Sequence, residues 1–176
     1  MRRLRRVIAA LLVLGVGGFL IDGANRPANP RLVPAYDPTA ARGSVPFGAA
    51  PLSVSPGQHA SVCVLEAVTP QQQAEGLMNR TSVAPYAGMA FVFAAPSEAR
   101  FYMKDTLIPL SIAWFNAAGR FEAEALMPPC PESAKACPTY GPGQPFTLAL
   151  EVPAGKLGSL GIGPGSTVAL GGGSCT

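Results

Sequence analysis

Short runs of alternating apolar and polar residues recur between residues 60 and 170, and Gly, Pro or Asn residues separate most of them. Runs of this kind are typical of half-buried β-strands. The clearest hairpin joins residues 110–116 to 120–127 through Asn-Ala-Ala-Gly. Together the runs predict short strands at residues 60–68, 89–93, 101–104, 110–116, 120–127, 146–152 and 167–170. This pattern predicts a mainly β domain, either a sandwich or a small barrel, with one or two short helices.

Residues 69–72 predict the start of a helix. Thr69 is a good N-cap, Pro70 suits the first helical position, and Gln72 completes a Thr-x-x-Gln capping box. The helix should be short and end near Met78. A second short turn or helix is expected around residues 156–160.

The N-terminal region has a different composition. Residues 7–21 form an apolar run behind four arginines, Arg2, Arg3, Arg5 and Arg6. A run of this length is short for a membrane span, which favours a signal peptide at residues 1–24. The cleavage pattern is poor, so an uncleaved N-terminal membrane anchor stays open. Residues 25–59 are rich in Pro and Ala and predict an extended spacer, which leaves residues 60–176 as the folded domain.

The charge balance argues against one class of partner. The chain carries 13 Lys and Arg and 10 Asp and Glu. Without the four N-terminal arginines and Asp22, the positive and negative side chains are equal in number. The mature part therefore has no excess of positive charge for nucleic-acid binding. Membrane contact is expected only through an uncleaved N-terminal segment.

Four cysteines are present, and an even number in an exported chain favours disulfides. Three pairings are possible; we favour Cys130 with Cys137, which are close in sequence, and Cys63 with Cys175. The spacings do not suit zinc and His59 is the sole histidine, so neither a metal nor a cofactor is predicted.

Three sequence blocks resemble domain-of-unknown-function family 192: Gly-Leu-Met-Asn-Arg at 76–80, Gly-Met-Ala-Phe-Val-Phe at 88–93, and residues 101–110, which end in Thr-Leu-Ile-Pro-Leu. Cys137-Pro-Thr-Tyr and Leu150-Glu151 fit the same family. The resemblance covers residues 60–176 and implies a jelly-roll-like β-sandwich, often exported from bacteria, with no established reaction. The chain departs from the family at Asp105, where Asn is common, and at Ser111, where Asp is common.

Five polar residues are candidates for a ligand-binding rim, namely Arg80, Lys104, Asp105, Thr106 and Tyr140. Arginine and lysine could hold an anion, Asp105 could accept hydrogen bonds from hydroxyls, and tyrosine could stack on a ring. Structural roles compete with these. Asp and Thr before a proline often shape a turn, arginine often pairs with a nearby glutamate, and tyrosine often packs.

No set of catalytic residues is predicted, and whether the protein is an enzyme stays open. The favoured hypothesis is an exported, periplasmic binding module for a small polar ligand, a glycan or an envelope protein. One alternative is a hydrolase of an envelope polymer, in which Asp105 works with Glu75 or Glu151. Another is an accessory protein of envelope assembly that uses a sheet edge.

Overall fold

The computed structural model describes residues 45–56, 61–131, 133–172 and 175, and the fold over these residues is mainly β. One short helix, α1, covers Pro70–Glu75, and a 3-10 turn covers Gly158–Leu160. The strands are β1 (Gly48–Ser55), β2 (Val62–Ala67), β3 (Met89–Ser97), β4 (Phe101–Tyr102), β5 (Leu110–Phe115), β6 (Phe121–Met127), β7 (Thr139–Tyr140), β8 (Phe146–Pro153) and β9 (Thr167–Leu170). The mainly β class predicted from the sequence is confirmed.

Seven strands form one sheet in the order β6-β5-β8-β3-β2-β1-β9. Neighbouring strands are antiparallel except β2 and β3, which run parallel because α1 and the following loop connect them. The short strands β4 and β7 form a second, two-stranded sheet. Its pairing joins Phe101 to Tyr140 across a long stretch of chain.

The large sheet curls until its two edge strands meet at one end. The backbone N–H of Phe121 donates to Ser166 O at 3.0 Å, and that of Val168 donates to Gly119 O at 2.8 Å. Gly119 has a φ of 71°, and a Cβ atom there would lie 2.2 Å from Val168 O. The close approach therefore requires glycine at this corner. The result is a half-barrel with a concave and an outer face.

Each face of the curled sheet carries its own hydrophobic core. The inner core, on the concave face, includes residues from both edges of the sheet, and its members include Leu52, Val64, Phe115, Leu150 and Val168. The outer core is covered by α1, the β4–β7 pair and the connecting loops, and its members include Leu77, Met89, Phe91, Ile112, Trp114 and Phe146. Strands with apolar residues on both faces are expected where both faces are covered.

Strand β1 lies inside residues 25–59, for which the sequence predicts an extended spacer. It pairs with β2 and β9, and its residues Ala50, Leu52 and Val54 are buried. The predicted start of the domain at Ala60 is therefore too late. Of the predicted spacer, the structure describes residues 45–56. The remainder of the spacer and the predicted signal peptide or anchor lie outside the described residues.

The capping box at the start of α1 is confirmed. Thr69 Oγ1 accepts from Gln72 N–H, and Gln72 Oε1 accepts from Thr69 N–H at 3.0 Å. The helix ends at Glu75, earlier than the Met78 expected, because Gly76 adopts a φ of 48° and its N–H caps Gln72 O. Strand β7 lies between the predicted strands at residues 120–127 and 146–152, where the sequence predicts no strand.

The structure pairs Cys63 with Cys175 and Cys130 with Cys137, which is the pairing that the sequence favours. The Cα atoms are 5.7 Å and 5.6 Å apart, both within the normal range for a disulfide. The first pair ties β2 to a residue beyond β9, and the second closes the loop before β7. In the part of the chain that is described, no helix has the length and apolar character needed to cross a bilayer.

Candidate functional site

A cleft of about 290 Å³ opens on the outer face of the sheet. Helix α1 and the residues after it form one wall, β4 and the residues before it form the other, and β3 and β8 form the floor. The lining consists of residues 73–78 and 99–102, with Phe91, Phe93, Thr106 and Glu151.

Glu151 contributes a carboxyl group to the floor of this cleft. Residue Ala149 on the same strand belongs to the outer core, and Leu150 belongs to the inner core, so the alternation of β8 directs Glu151 to the outer face. The residues that pair with Glu151 across the sheet are Met89 on β3 and Ile112 on β5, both apolar. The carboxyl group therefore lies in apolar surroundings.

The Glu151 side chain is almost fully buried, with 5% of its surface exposed. Within the described residues, no hydrogen bond or ion pair reaches its carboxyl group. Burial raises the pKa of this carboxyl from 4.5 to about 8, because removal from water disfavours the charged form. At neutral pH the carboxyl is therefore mostly protonated.

Aromatic rings surround the apolar part of the cleft. Phe91 and Phe101 meet edge to face with ring centroids 5.1 Å apart. Phe101 also contacts the Trp114 ring behind it at 6.1 Å, and Phe93 contacts the Phe146 ring at 5.2 Å. These contacts fix the orientation of the rings that line the cleft.

Helix α1 is held over the sheet by polar contacts. Gln73 Nε2 donates to Val92 O on β3 at 2.8 Å, and Gln72 Nε2 donates to Pro46 O at 2.8 Å. Glu75 lines the cleft and one of its carboxylate oxygens accepts the Val45 N–H at 3.0 Å. These bonds set the position of the helix wall and place a second carboxylate beside the cleft.

Arg100 and Tyr102 form the opposite rim. The Arg100 guanidinium donates to Thr139 through two nitrogens, Nε to Oγ1 and one Nη to the carbonyl O, each at 2.8 Å. Tyr102 is 44% exposed although it lines the cleft. Sequence reasoning missed both residues, because a lone arginine or tyrosine beside a short strand carries no local signal.

Of the five predicted rim residues, Thr106 is the one that lines the cleft. Its side chain is buried, and its hydroxyl donates a long bond to Lys104 O at 3.4 Å. Lys104 and Asp105 are exposed. Asp105 has a left-handed φ of 55° and its carbonyl accepts the N–H of Asn79, also left-handed, at 2.7 Å. This geometry favours the turn-shaping role of Asp105.

Arg80 and Tyr140 lie elsewhere. The Arg80 guanidinium sits over the Phe47 ring, 5.3 Å from its centroid, and makes no ion pair with a glutamate among the described residues. Tyr140 is half-buried, pairs with Phe101 through β7 and packs against the outer core. The structure joins the Arg80 loop to the 104–106 turn through the Asn79–Asp105 bond but leaves Tyr140 apart.

Glu75 and Glu151, proposed from the sequence as partners of Asp105, both line the cleft, whereas Asp105 does not. A second cleft beside β5 and β6 is lined by Ser111, whose hydroxyl already accepts from Gly155 N–H at 2.9 Å. Nowhere in the described part of the chain do three His, Cys, Asp or Glu side chains form a group able to hold a metal ion.

In comparison with known protein families, residues 53–170 match the model of DUF192, a family described as "Uncharacterized ACR". The match covers more than half of the chain and confirms the family resemblance seen in the sequence. No curated protein matches significantly.

Two solved structures are similar to this chain. A candidate transcription regulator from Sinorhizobium meliloti is 26% identical with a TM-score of 0.60, over 73% of this chain and 98% of that one. A protein of unknown function from Novosphingobium aromaticivorans is 28% identical with a TM-score of 0.57, over 84% of this chain and 99% of that one.

Proposed function

We propose that this chain, which belongs to the DUF192 family, is an exported domain that binds a small organic ligand in the cleft between α1, β3 and β4. The observation that carries the proposal is the carboxyl of Glu151, buried at the floor of a concave site with no partner among the described residues. Binding sites combine an apolar lining with a few polar groups that orient the ligand. This cleft has that composition.

A carboxyl without a protein partner on the floor of an apolar cleft is costly for a fold, since removal from water disfavours its charged state. Strand β8 is otherwise apolar over most of its length, and a leucine at this position would pack without such a cost. A ligand that satisfies the carboxyl gives it a function, and perturbed carboxyls in clefts are typical of functional sites.

Export is supported by two features. The arginines and apolar run at the N-terminus have the order of a signal peptide. Two cysteine pairs at disulfide distance suit an oxidising compartment. Both features support the proposed location of the binding domain outside the cytoplasm.

A fragment screen by thermal shift tests the proposal on the full, oxidised chain. The variant Ala74→Trp should block the cleft, because Ala74 lines it and is exposed on α1. Ala117→Trp, in the exposed β5–β6 turn, is the matched control. A ligand present at 100 times its dissociation constant adds about 2.7 kcal/mol of stability, which raises the melting temperature measurably.

We expect fragments that stabilise the wild type and Ala117→Trp and that lose their effect in Ala74→Trp. Fragments that stabilise all three proteins equally would place binding outside the cleft and contradict the proposal. The same holds if no fragment stabilises any of them.

A further inference from the structure

The carboxyl of Glu151 and the aromatic rings of the cleft favour one class of ligand, provided that the cleft binds a ligand as proposed above. We infer that the cleft binds an organic ammonium cation, whose charged group pairs with the carboxylate of Glu151 and whose apolar body lies among the aromatic rings.

The first argument is the state of Glu151. Its carboxyl is buried on the cleft floor and, in the described part of the chain, meets neither a cation nor a hydrogen-bond donor. An ammonium group supplies both at once, since it carries a positive charge and up to three N–H donors. Pairing with a donor of opposite charge is what stabilises a buried carboxylate.

The second argument is the composition of the walls. The rings of Phe91, Phe93, Phe101 and Tyr102 line the cleft. Aromatic faces attract cations, and an ammonium group with nearby rings and a carboxylate is a favourable combination. A ligand with an anionic head would instead oppose the ionisation of Glu151 and lie near the carboxyl of Glu75.

The third argument concerns the charges around Glu151. The titratable or charged groups that line the cleft with it are Glu75 on α1, Arg100 beside β4 and Tyr102 on β4. The residues facing it from β3 and β5 are apolar. Arg100 is exposed and already donates twice to Thr139 at the rim. A cationic ligand can therefore pair with Glu151 without an internal competitor.

Pairing of the ammonium group with Glu151 should release a proton, and this release can be measured. At neutral pH the Glu151 carboxyl holds its proton, because burial raises its pKa to about 8. When the ammonium cation enters, the carboxyl loses this proton to solvent and the carboxylate pairs with the cation. Binding near pH 6.5 should therefore release about one proton, and affinity should rise about tenfold per pH unit until it levels off above pH 8.

The test is calorimetric titration of the full chain with two probes of the same shape, phenethylamine and phenethyl alcohol, at pH 6, 7 and 8.5. Phenethylamine stays cationic over this range, as a lysine side chain does. We expect the amine to bind more tightly at higher pH, with proton release in buffers of different ionisation enthalpy. Glu151→Gln should lower amine affinity at least about tenfold at pH 8.5 and remove the pH dependence.

Three outcomes would overturn the inference. One is an amine affinity that is insensitive to pH and to Glu151→Gln. Another is alcohol binding that is as tight as amine binding and is blocked by Ala74→Trp; the cleft would then remain a binding site, and only the ammonium class would be wrong. If neither probe binds to the wild type, the inference fails; if the fragment screen is also empty, the proposed function fails with it.

Discussion

The two faces of the seven-stranded sheet are built from the same strands but differ in whether their buried polar groups have hydrogen-bond partners. On the inner face, the buried Ser111 hydroxyl accepts from Gly155 N–H and the Ser166 hydroxyl exchanges bonds with Gly163. On the outer face, the Glu151 carboxyl has no partner within the described residues. The indole N–H of Trp114, in the outer core, is also buried without one.

Buried polar groups in folded proteins are nearly always satisfied, so the exceptions point to something other than stability. Over the described residues, the inner face fulfils this rule and closes the half-barrel. Among the described residues, the outer face has one buried nitrogen without a partner, that of the Trp114 indole on β5. On the neighbouring strand β8, the Glu151 carboxyl has no protein partner in the described part of the chain and faces the aromatic cleft. Both faces carry a hydrophobic core, and the proposed ligand-binding role of the cleft would account for the difference between them.

The largest expected effect comes from the same truncation on each face. Leu52→Ala, on the inner face of β1, should cost about 3–5 kcal/mol, because it leaves an enclosed cavity. Leu77→Ala, on the cleft wall, should cost about 2–3 kcal/mol, because the space it leaves opens into the cleft and is hydrated. Urea unfolding of both variants measures the difference.

An equal cost for the two variants would mean that the outer face is packed as tightly as the inner one. A negligible cost for Leu52→Ala would mean that β1 does not pack in the inner core and belongs to the spacer predicted from the sequence.

A second effect has the opposite sign. Because folding raises the Glu151 pKa from 4.5 to about 8, the folded state binds a proton that the unfolded state has lost. Its contribution to stability is fully present below about pH 4.5 and is lost as pH rises through 8. Glu151→Gln removes the group, so it should stabilise the protein at pH 8.5 by on the order of 2–4 kcal/mol and change little at pH 4.5.

The free energy of unfolding of wild type and Glu151→Gln, compared by urea titration at both pH values, isolates this group. Glu124→Gln, at an exposed position of β6, is the matched control and should give no pH-dependent difference. A Glu151→Gln variant that is less stable than the wild type at pH 8.5 would mean that the carboxyl has a partner and that the faces do not differ as described.

A smaller effect compares two hydroxyls. Ser111→Ala, on the inner face, removes the acceptor of the Gly155 N–H and should cost about 1 kcal/mol. Thr106→Val, in the cleft, removes a long 3.4 Å bond to Lys104 O and should cost less than about 0.5 kcal/mol. Thermal melts at one pH distinguish them, and the reverse order would show that the cleft hydroxyl is the more important of the two for the fold.

The sequence predicts those parts of the fold whose signals are local. The capping box of Thr69 and Gln72, the β5–β6 hairpin and strand β9 all depend on residues close together in the chain, and all are found near their expected positions. Strand β1 was missed because Pro46, Pro51 and Pro56 obscure the alternation of its buried residues. Proline lacks the N–H that a strand normally donates, so the composition indicated a spacer.

The site could be predicted only in part, because its walls come from distant segments. Glu151 stands out in the sequence as a charge within an apolar strand, and it was considered as an acid–base partner. No spacing rule could place it beside α1 and β4. Arg100 lines the cleft and is bonded to Thr139, 39 residues away, and that contact has no signature in either segment.

The smallest expected effect compares the predicted rim with the observed one. Arg100 lines the cleft and Lys104 does not, although both are exposed cations at the ends of β4. Arg100→Gln removes a positive charge from beside the ligand and should raise phenethylamine affinity about twofold, the size expected for an exposed charge. Lys104→Gln should leave affinity unchanged, and adding salt should reduce the Arg100 effect by screening. If Lys104→Gln changes the affinity as much as Arg100→Gln does, the ligand extends beyond the cleft to the 104–106 turn. The ligand-binding surface of the outer face would then include residues beyond those that line the cleft around Glu151.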